Sequence, residues 1–346
     1  MRVLVLALAV AGALVSCSNA SRPPTLNQAP NPSAGGSSST DASRGEGGST
    51  GEALVDNVPS PRGIALSASE VFFTSGAGSG DGGTAGTISS VPKAGGAVAQ
   101  IVGGPALPTE LLLVNGALVW IDLGSTAQAG AVFKLDASVS VATQISGPLQ
   151  APTAIASDGI YVYVASTFPS GGVSIDRVPL GAGPPFSVTT VVGDFTPSGM
   201  VIDSRYAYFV GATLAGGVLY RVVLTGGPAE ALWSTNGGTL GDVAVTAGHV
   251  YWTLDAPNAG AAKIFSLPTG GGTTVALAVQ QPHAVRLAFD SANLFWTTGA
   301  DGEVIRAPLG GGVASVVASG LGSALNIAAG DAIYVTTATG IVKIPK

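Results

Sequence analysis

Four side chains able to hold or transform a ligand stand at the same point of a repeated phrase. Glu110, Asp242, Arg286 and Asn326 each come immediately before a short apolar run, in a column whose other members are Gly63, Ala154 and Gly199. Two carboxylates and an amide offer the oxygen ligands that a hard cation such as calcium or magnesium takes. Arg286 works against that use, because a guanidinium in the same ring repels a dication. It offers Glu110 or Asp242 an ion pair instead, one that plugs the space between them. Histidine, the usual general base near neutral pH, occurs only at His249 and His283, and cysteine only at Cys17. A single cysteine excludes an intrachain disulfide.

What positions such a column is a repeat. A hydrophobic and aromatic phrase recurs as VFFT at Val71, LVWI at Leu118, YVYV at Tyr161, AYFV at Ala207, VYWT at Val250, LFWT at Leu294 and IYVT at Ile333. Each copy follows a first short apolar run, such as GIAL from Gly63 or NIAA from Asn326, and precedes a third, such as SIDRVPL from Ser174 or VIRAPL from Val304. Six copies continue into a fourth run, such as SVVA from Ser315. Runs rich in Val, Ile, Thr and aromatics, broken by Gly and Pro, favour pleated backbone over helix. A four-stranded unit of about forty residues marks a propeller blade, which cannot cover its own faces and must stack on neighbours. The expected fold is therefore all-β, a seven-bladed β-propeller of four-stranded blades over residues 53–346. The seventh copy has only three runs, whereas EALVDNVPSP from Glu52 reads as a fourth strand with no blade before it. Residues 53–55 are expected to complete the last blade and close the ring.

The phrases VYWT and LFWT, followed in the second case by VIRAPLGGG, resemble YWTD-type and NHL-type propellers and the Gly- and Ala-rich propeller lipoproteins of bacteria. The Asp of the YWTD phrase is absent after Thr253 and Thr297, and YWTD-type rings have six blades. The resemblance implies architecture more than role. Gluconolactonase-like and paraoxonase-like propellers imply a channel calcium that polarises a lactone carbonyl. The virginiamycin B lyase family, with seven blades, implies a histidine-dependent, magnesium-assisted elimination, for which His283 alone stands near the expected channel mouth. Two further columns read as structural. Trp120, Trp252 and Trp296 should fill the space between blades. The column Ser90, Lys134, Arg177, Arg221, Ser266, Arg306 and Lys343, five of them basic, is expected to pair with repeat carboxylates such as Asp158, Asp203 and Asp290. GSGDGG at residues 78–83 and GGSTG at 47–51 match dinucleotide and nucleophile-elbow patterns, but neither lies between a strand and a helix, as those mechanisms require.

The N-terminus carries an address. Met1 and Arg2 precede a thirteen-residue apolar run at 3–15, too short to span a bilayer and suited to a signal peptide. It ends in Leu14, Val15, Ser16 and Cys17, which resemble the lipobox of bacterial lipoproteins. The resemblance implies a signal peptide at 1–16 and lipid on Cys17, where several acyl chains hold a protein stably at a membrane. Residues 17–52, rich in Gly, Ser and Pro, are then a flexible tether reaching on the order of 30 Å. Ser18 after the lipidated residue favours the outer membrane of a bacterial envelope.

A formal charge of −6 with no basic cluster excludes nucleic acid as a partner. No nucleophile–base pair is legible. The expected function is a membrane-anchored binding or scaffolding module with a small-molecule ligand or an envelope protein as partner and no certain cofactor. The alternatives are a calcium- or magnesium-dependent hydrolase or lyase in the channel, and an assembly component recognised by an apolar patch on one face.

Overall fold

The computed structural model describes residues 49–346, apart from 77–84, 127–129, 182, 247, 256–261 and 282. The signal peptide, Cys17, most of the tether and the GSGDGG stretch lie outside the described residues. The described chain forms seven antiparallel sheets of four strands each and contains no helix. We number the blades I to VII by their innermost strands: Pro61–Leu66, Pro108–Val114, Pro152–Ser157, Thr196–Ile202, Thr239–Val245, Leu287–Phe289 and Asn326–Ala329. Each innermost strand packs against the next, and the strand of blade VII packs against that of blade I, so they surround a channel.

Closure follows the sequence expectation. Glu52–Val55 pairs antiparallel with Ile341–Ile344, Glu52 opposite Lys343, and supplies the outer strand of blade VII. Just before it, Ser49 bridges to Ala318 on the outer strand of blade VI.

The second strand of each blade is apolar without alternation because both faces of the sheet are covered. In His249–Asp255, Val250, Trp252 and Leu254 pack toward blade IV, whereas Tyr251 packs toward blade VI. The core is accordingly divided into seven apolar clusters, one for each junction between neighbouring blades. Trp120, Trp252 and Trp296 are fully buried within them, Trp120 stacked on Phe133 and Trp252 on Phe265.

Polar links cross the same junctions, and here the expected partners of the basic column are corrected in part. Lys134 and Arg221 do pair with carboxylates, but with Asp136 and Glu230 of their own blades. Lys134 Nζ also donates to Leu180 O, Arg221 Nη1 to Thr269 O and Lys343 Nζ to Lys93 O, in each case a carbonyl at the end of the third strand of the next blade. Arg177 lies instead over the Tyr161 and Phe186 rings. The carboxylates are occupied elsewhere: Asp158 and Asp203 cap their own hairpins and accept from the hydroxyls of Tyr163 and Tyr208. Asp290 pairs with Lys346, which with the amides of Ala292 and Asn293 outweighs desolvation and draws its pKa down to about 2. A side chain on the third strand points along the sheet to the neighbour's exposed carbonyl, which needs a donor, and not back to its own inner hairpin.

Ring closure leaves no space at Gly340, where an added Cβ would collide with Val55 O, whereas a Cβ at Gly181 meets nothing within 4 Å. Gly340→Ala is expected to lower stability by about 1–3 kcal/mol and Gly181→Ala by less than about 0.5 kcal/mol. Urea unfolding of the two variants beside the parent checks this; equal midpoints would contradict tight closure.

Candidate functional site

The column of residues before the innermost strands is built by two local devices. In blades I to V the ladder between the first and second strands shifts register at this point, between Pro61 and Ile64, Pro108 and Leu111, Pro152 and Ala154, Pro197 and Gly199, and Leu240 and Val243. A bulge of this kind re-aims the side chain it carries. The second device is the threonine that follows the aromatic phrase. Thr74, Thr253, Thr297 and Thr336 are completely buried, and their hydroxyls accept the amide of Gly63, Asp242, Arg286 and Asn326 at 2.8, 3.0, 3.2 and 2.9 Å. A neutral hydroxyl thus fixes the backbone of the column from behind.

Arg286 crosses the channel from this position. Its Nη2 lies 2.9 Å from Glu110 Oε1 in blade II, and its Nη1 lies 3.8 Å from Asp242 Oδ1 in blade V and 3.5 Å from Ser198 O in blade IV. Gly199 makes room for this, since a Cβ there would stand 2.7 Å from Asp242 Oδ1. Asp242 also accepts from Leu287 N at 2.9 Å. Burial raises its pKa, opposed by the Arg286 charge and by the amides of Leu287 and Val243. The Glu110 charge raises that of Arg286 against its own desolvation. The two carboxylates and the guanidinium form one half-buried group, which is the plug that the sequence admitted.

On one side of this bridge lies a cavity of about 450 Å³. Glu110, Arg286 and Asn326 contribute to its wall, while Asp242 is not among its lining residues and lies at the far end of the bridge. Asn326 accepts from Ile327 N through Oδ1, which leaves its amide nitrogen for a ligand. Reading the sequence column alone missed Arg62, Thr109 and Thr153, which also line the cavity. Their signal was the Pro-bearing turn that opens blades I to III, in which Pro61, Pro108 and Pro152 each sit within two residues of the column.

The space between Glu110 and Asp242 does not suit a calcium or magnesium ion. Glu110 and Asp242 both face a guanidinium, so a dication between them would meet a positive charge already in place. Among the described residues no group of three or more His, Cys, Asp or Glu side chains is placed to hold a metal.

Neither histidine is among the residues that line the cavity. His283 Nδ1 lies 2.8 Å from Asp255 Oδ1, and that hydrogen bond raises its pKa, helped by the Asp255 charge. His249 is exposed beside Tyr251, at the opposite end of the second strand of blade V. The most exposed large apolar side chains, Leu214, Val313 and Val192, belong to turns or strand ends of blades IV, VI and III.

No protein-family model and no curated protein sequence matches the chain. Solved structures do share its fold. Virginiamycin B lyase from Staphylococcus aureus aligns over 85% of this chain and 97% of its own, with a TM-score of 0.66 and 15% identity. Hydrazine synthase from Kuenenia stuttgartiensis aligns over 83% and 96%, with a TM-score of 0.64 and 14% identity. The β-propeller domain of the Trilobed protease from Pyrococcus furiosus aligns over 82% and 95%, with a TM-score of 0.62 and 6% identity. At these identities the likeness concerns the propeller fold.

Arg286→Leu leaves two carboxylates without their cation. Stability should fall by roughly 2–4 kcal/mol at pH 8, somewhat under the cost of breaking a fully buried pair. The sign with pH is fixed by Asp242. A carboxyl whose folded pKa is raised contributes stability that is full below its ordinary value of 3.8 and is lost as pH rises through the raised value. Removing Arg286 moves that value further up, so the variant should regain part of the loss at pH 5, and adding Asp242→Asn should remove that recovery. Urea midpoints at the two pH values test this; a variant as stable as the parent at pH 8 contradicts the bridge.

Proposed function

We propose that this chain is an envelope lipoprotein, anchored through Cys17, whose propeller binds a small molecule at the mouth of its channel. One observation carries the binding half. A cavity of about 450 Å³ combines an apolar wall, including Leu123, Pro152, Val285 and Leu325, with polar groups that converge from different blades. Small-molecule sites are of this size and kind, roughly 300–1,000 Å³ with a few placed polar groups. Glu110 is engaged by Arg286, which suits it to a fixed wall better than to proton transfer. The anchoring half rests on the sequence Leu14, Val15, Ser16, Cys17 and the polar stretch after it, with the outer membrane as its address and an envelope protein as a further partner.

A second reading, a lyase or hydrolase, is favoured by the His283–Asp255 pair. A carboxylate on Nδ1 orients the ring and leaves Nε2 available as a base. Virginiamycin B lyase and a streptogramin B lyase, which aligns over 85% of this chain with a TM-score of 0.60 and 15% identity, share the fold.

Both halves of the first reading are testable on the full chain. Intact mass of membrane-extracted protein should show acylated Cys17, and Cys17→Ala should move the protein out of the membrane fraction; an unmodified Cys17 overturns the anchoring. A metabolite panel scored by thermal shift should yield a stabilising compound whose effect disappears in Thr153→Trp, which fills the cavity. Stabilisation by 100 times the dissociation constant is worth about 2.7 kcal/mol; hits indifferent to Thr153→Trp place binding elsewhere. For the second reading, a streptogramin B is incubated with the full chain in EDTA and in millimolar magnesium and followed by mass spectrometry. Turnover that His283→Ala abolishes would put the enzyme reading first.

A further inference from the structure

The charges at the bridge and the cavity wall, Arg62 and Arg286 against Glu110 and Asp242, balance in number but not in position. Arg286 is matched by Glu110 and Asp242. Arg62, the second guanidinium in the wall, has no carboxylate partner among the described residues. It stands on the innermost strand of blade I, where Gly63 N is held by Thr74 Oγ1 at 2.8 Å. It is solvent-exposed, with Nε running beside Gly76. Further donors in the wall are the Asn326 amide nitrogen, whose Oδ1 is already engaged, and the Thr109 hydroxyl. Thus a cation, an amide and a hydroxyl are left for a ligand, beside the apolar part of the wall.

The cavity also continues. A smaller one of about 230 Å³ shares Leu123 and Ala151 with it. Ala151 has a φ of 38°, a left-handed geometry that costs a residue with a Cβ on the order of 1–2 kcal/mol. Such strain, where it persists, tends to lie at ligand sites.

Resting on the reading of this cavity as a binding site, we propose that its ligand is a small monoanion with an apolar body. A carboxylate, or an anionic group of similar size, pairs with the Arg62 guanidinium and accepts from the Asn326 amide. The body lies on Pro61, Leu123, Pro152 and Leu325. A guanidinium presents paired donors that match a carboxylate. A ligand cation would be repelled by Arg62, and a neutral molecule would leave its charge unused.

The test uses the full chain and three probes of one shape: 2-naphthylacetate, its neutral amide 2-naphthylacetamide, and the cation 2-naphthylmethylammonium. Dissociation constants are measured by titration calorimetry at low salt. The acid is expected to bind about tenfold more tightly than the amide, with the ammonium weakest, and the preference should shrink at 0.5 M salt as screening shortens the reach of the charge. Arg62→Gln should equalise acid and amide, Arg62→Lys should keep most of the preference, and Thr153→Trp should abolish all binding. Equal binding of acid and amide by the parent, or a preference that survives Arg62→Gln, overturns the anion assignment while Thr153→Trp still reports a cavity site. Failure of all three probes to bind at millimolar concentration overturns both. The comparison of probes on the parent chain stands even if a variant does not fold.

Discussion

Holding each blade to the next is the constraint on which the rest of the ring depends, and in blades I and VI a buried threonine hydroxyl does it. Thr74 Oγ1 accepts from Gly63 N and donates to Thr109 O of blade II, and Thr297 Oγ1 accepts from Arg286 N and donates to Leu325 O of blade VII. One atom therefore holds the inner strand of its own blade and the start of the next. At the other end of the strands the link is made by long side chains, Lys134, Arg221 and Lys343, and by Tyr251 OH on Leu309 O. The junction of blades III and IV, crossed by a hydrogen bond from Gly227 N to Val188 O, is filled by apolar packing in which Phe195 meets Phe209 and Tyr220 edge-on. Directional bonds fix the angle between blades, and apolar burial supplies most of the favourable free energy.

Because the ring is held at its edges, its centre is free to carry polar groups that a packed core would reject. Burying a charge is tolerated only when it is paired and hydrogen-bonded. Glu110, Asp242 and Arg286 meet that condition from three blades, with Leu287 N and Ser198 O completing the set. The bridge ties opposite sides of the channel and leaves the cavity beside it. Stability and site formation are therefore one arrangement: the arginine that neutralises the channel also forms part of the wall a ligand would meet.

The shared fold of a lyase, a synthase and a protease domain shows how little the ring prescribes about chemistry. What they have in common with this chain is the propeller fold. In this chain the column of side chains before the innermost strands is sparse, with Gly63, Ala154 and Gly199 at three positions, one ion-paired group across three more and Asn326 at the seventh. At Gly63 and Gly199 a Cβ would meet Thr109 O and Asp242 Oδ1, so glycine there lets neighbouring blades approach.

Architecture was legible because it is local and periodic. Seven aromatic phrases, each flanked by short apolar runs, determine strand count and blade register. A last unit of three runs, with an unpartnered strand near residue 52, determines how the ring closes. The same periodicity identified Glu110, Asp242, Arg286 and Asn326 as one column. It was silent on which of them meet, since Arg286 and Glu110 are 176 residues apart and their contact depends on the angle summed over intervening blades. It misassigned the partners of the basic column, because a sequence repeat aligns residues within a blade and carries no information on the reach to the next. Arg62 escaped notice for a related reason: one position from the column, it is distinguished only by the absence of a described partner in space. Sequence alone determined the repeat, the closure and the lipobox-like stretch at Cys17. Tertiary structure decided the ion bridge, the cavity and the guanidinium in its wall that has no carboxylate partner among the described residues, because those arise between blades, where only three-dimensional geometry brings distant residues within range of one another.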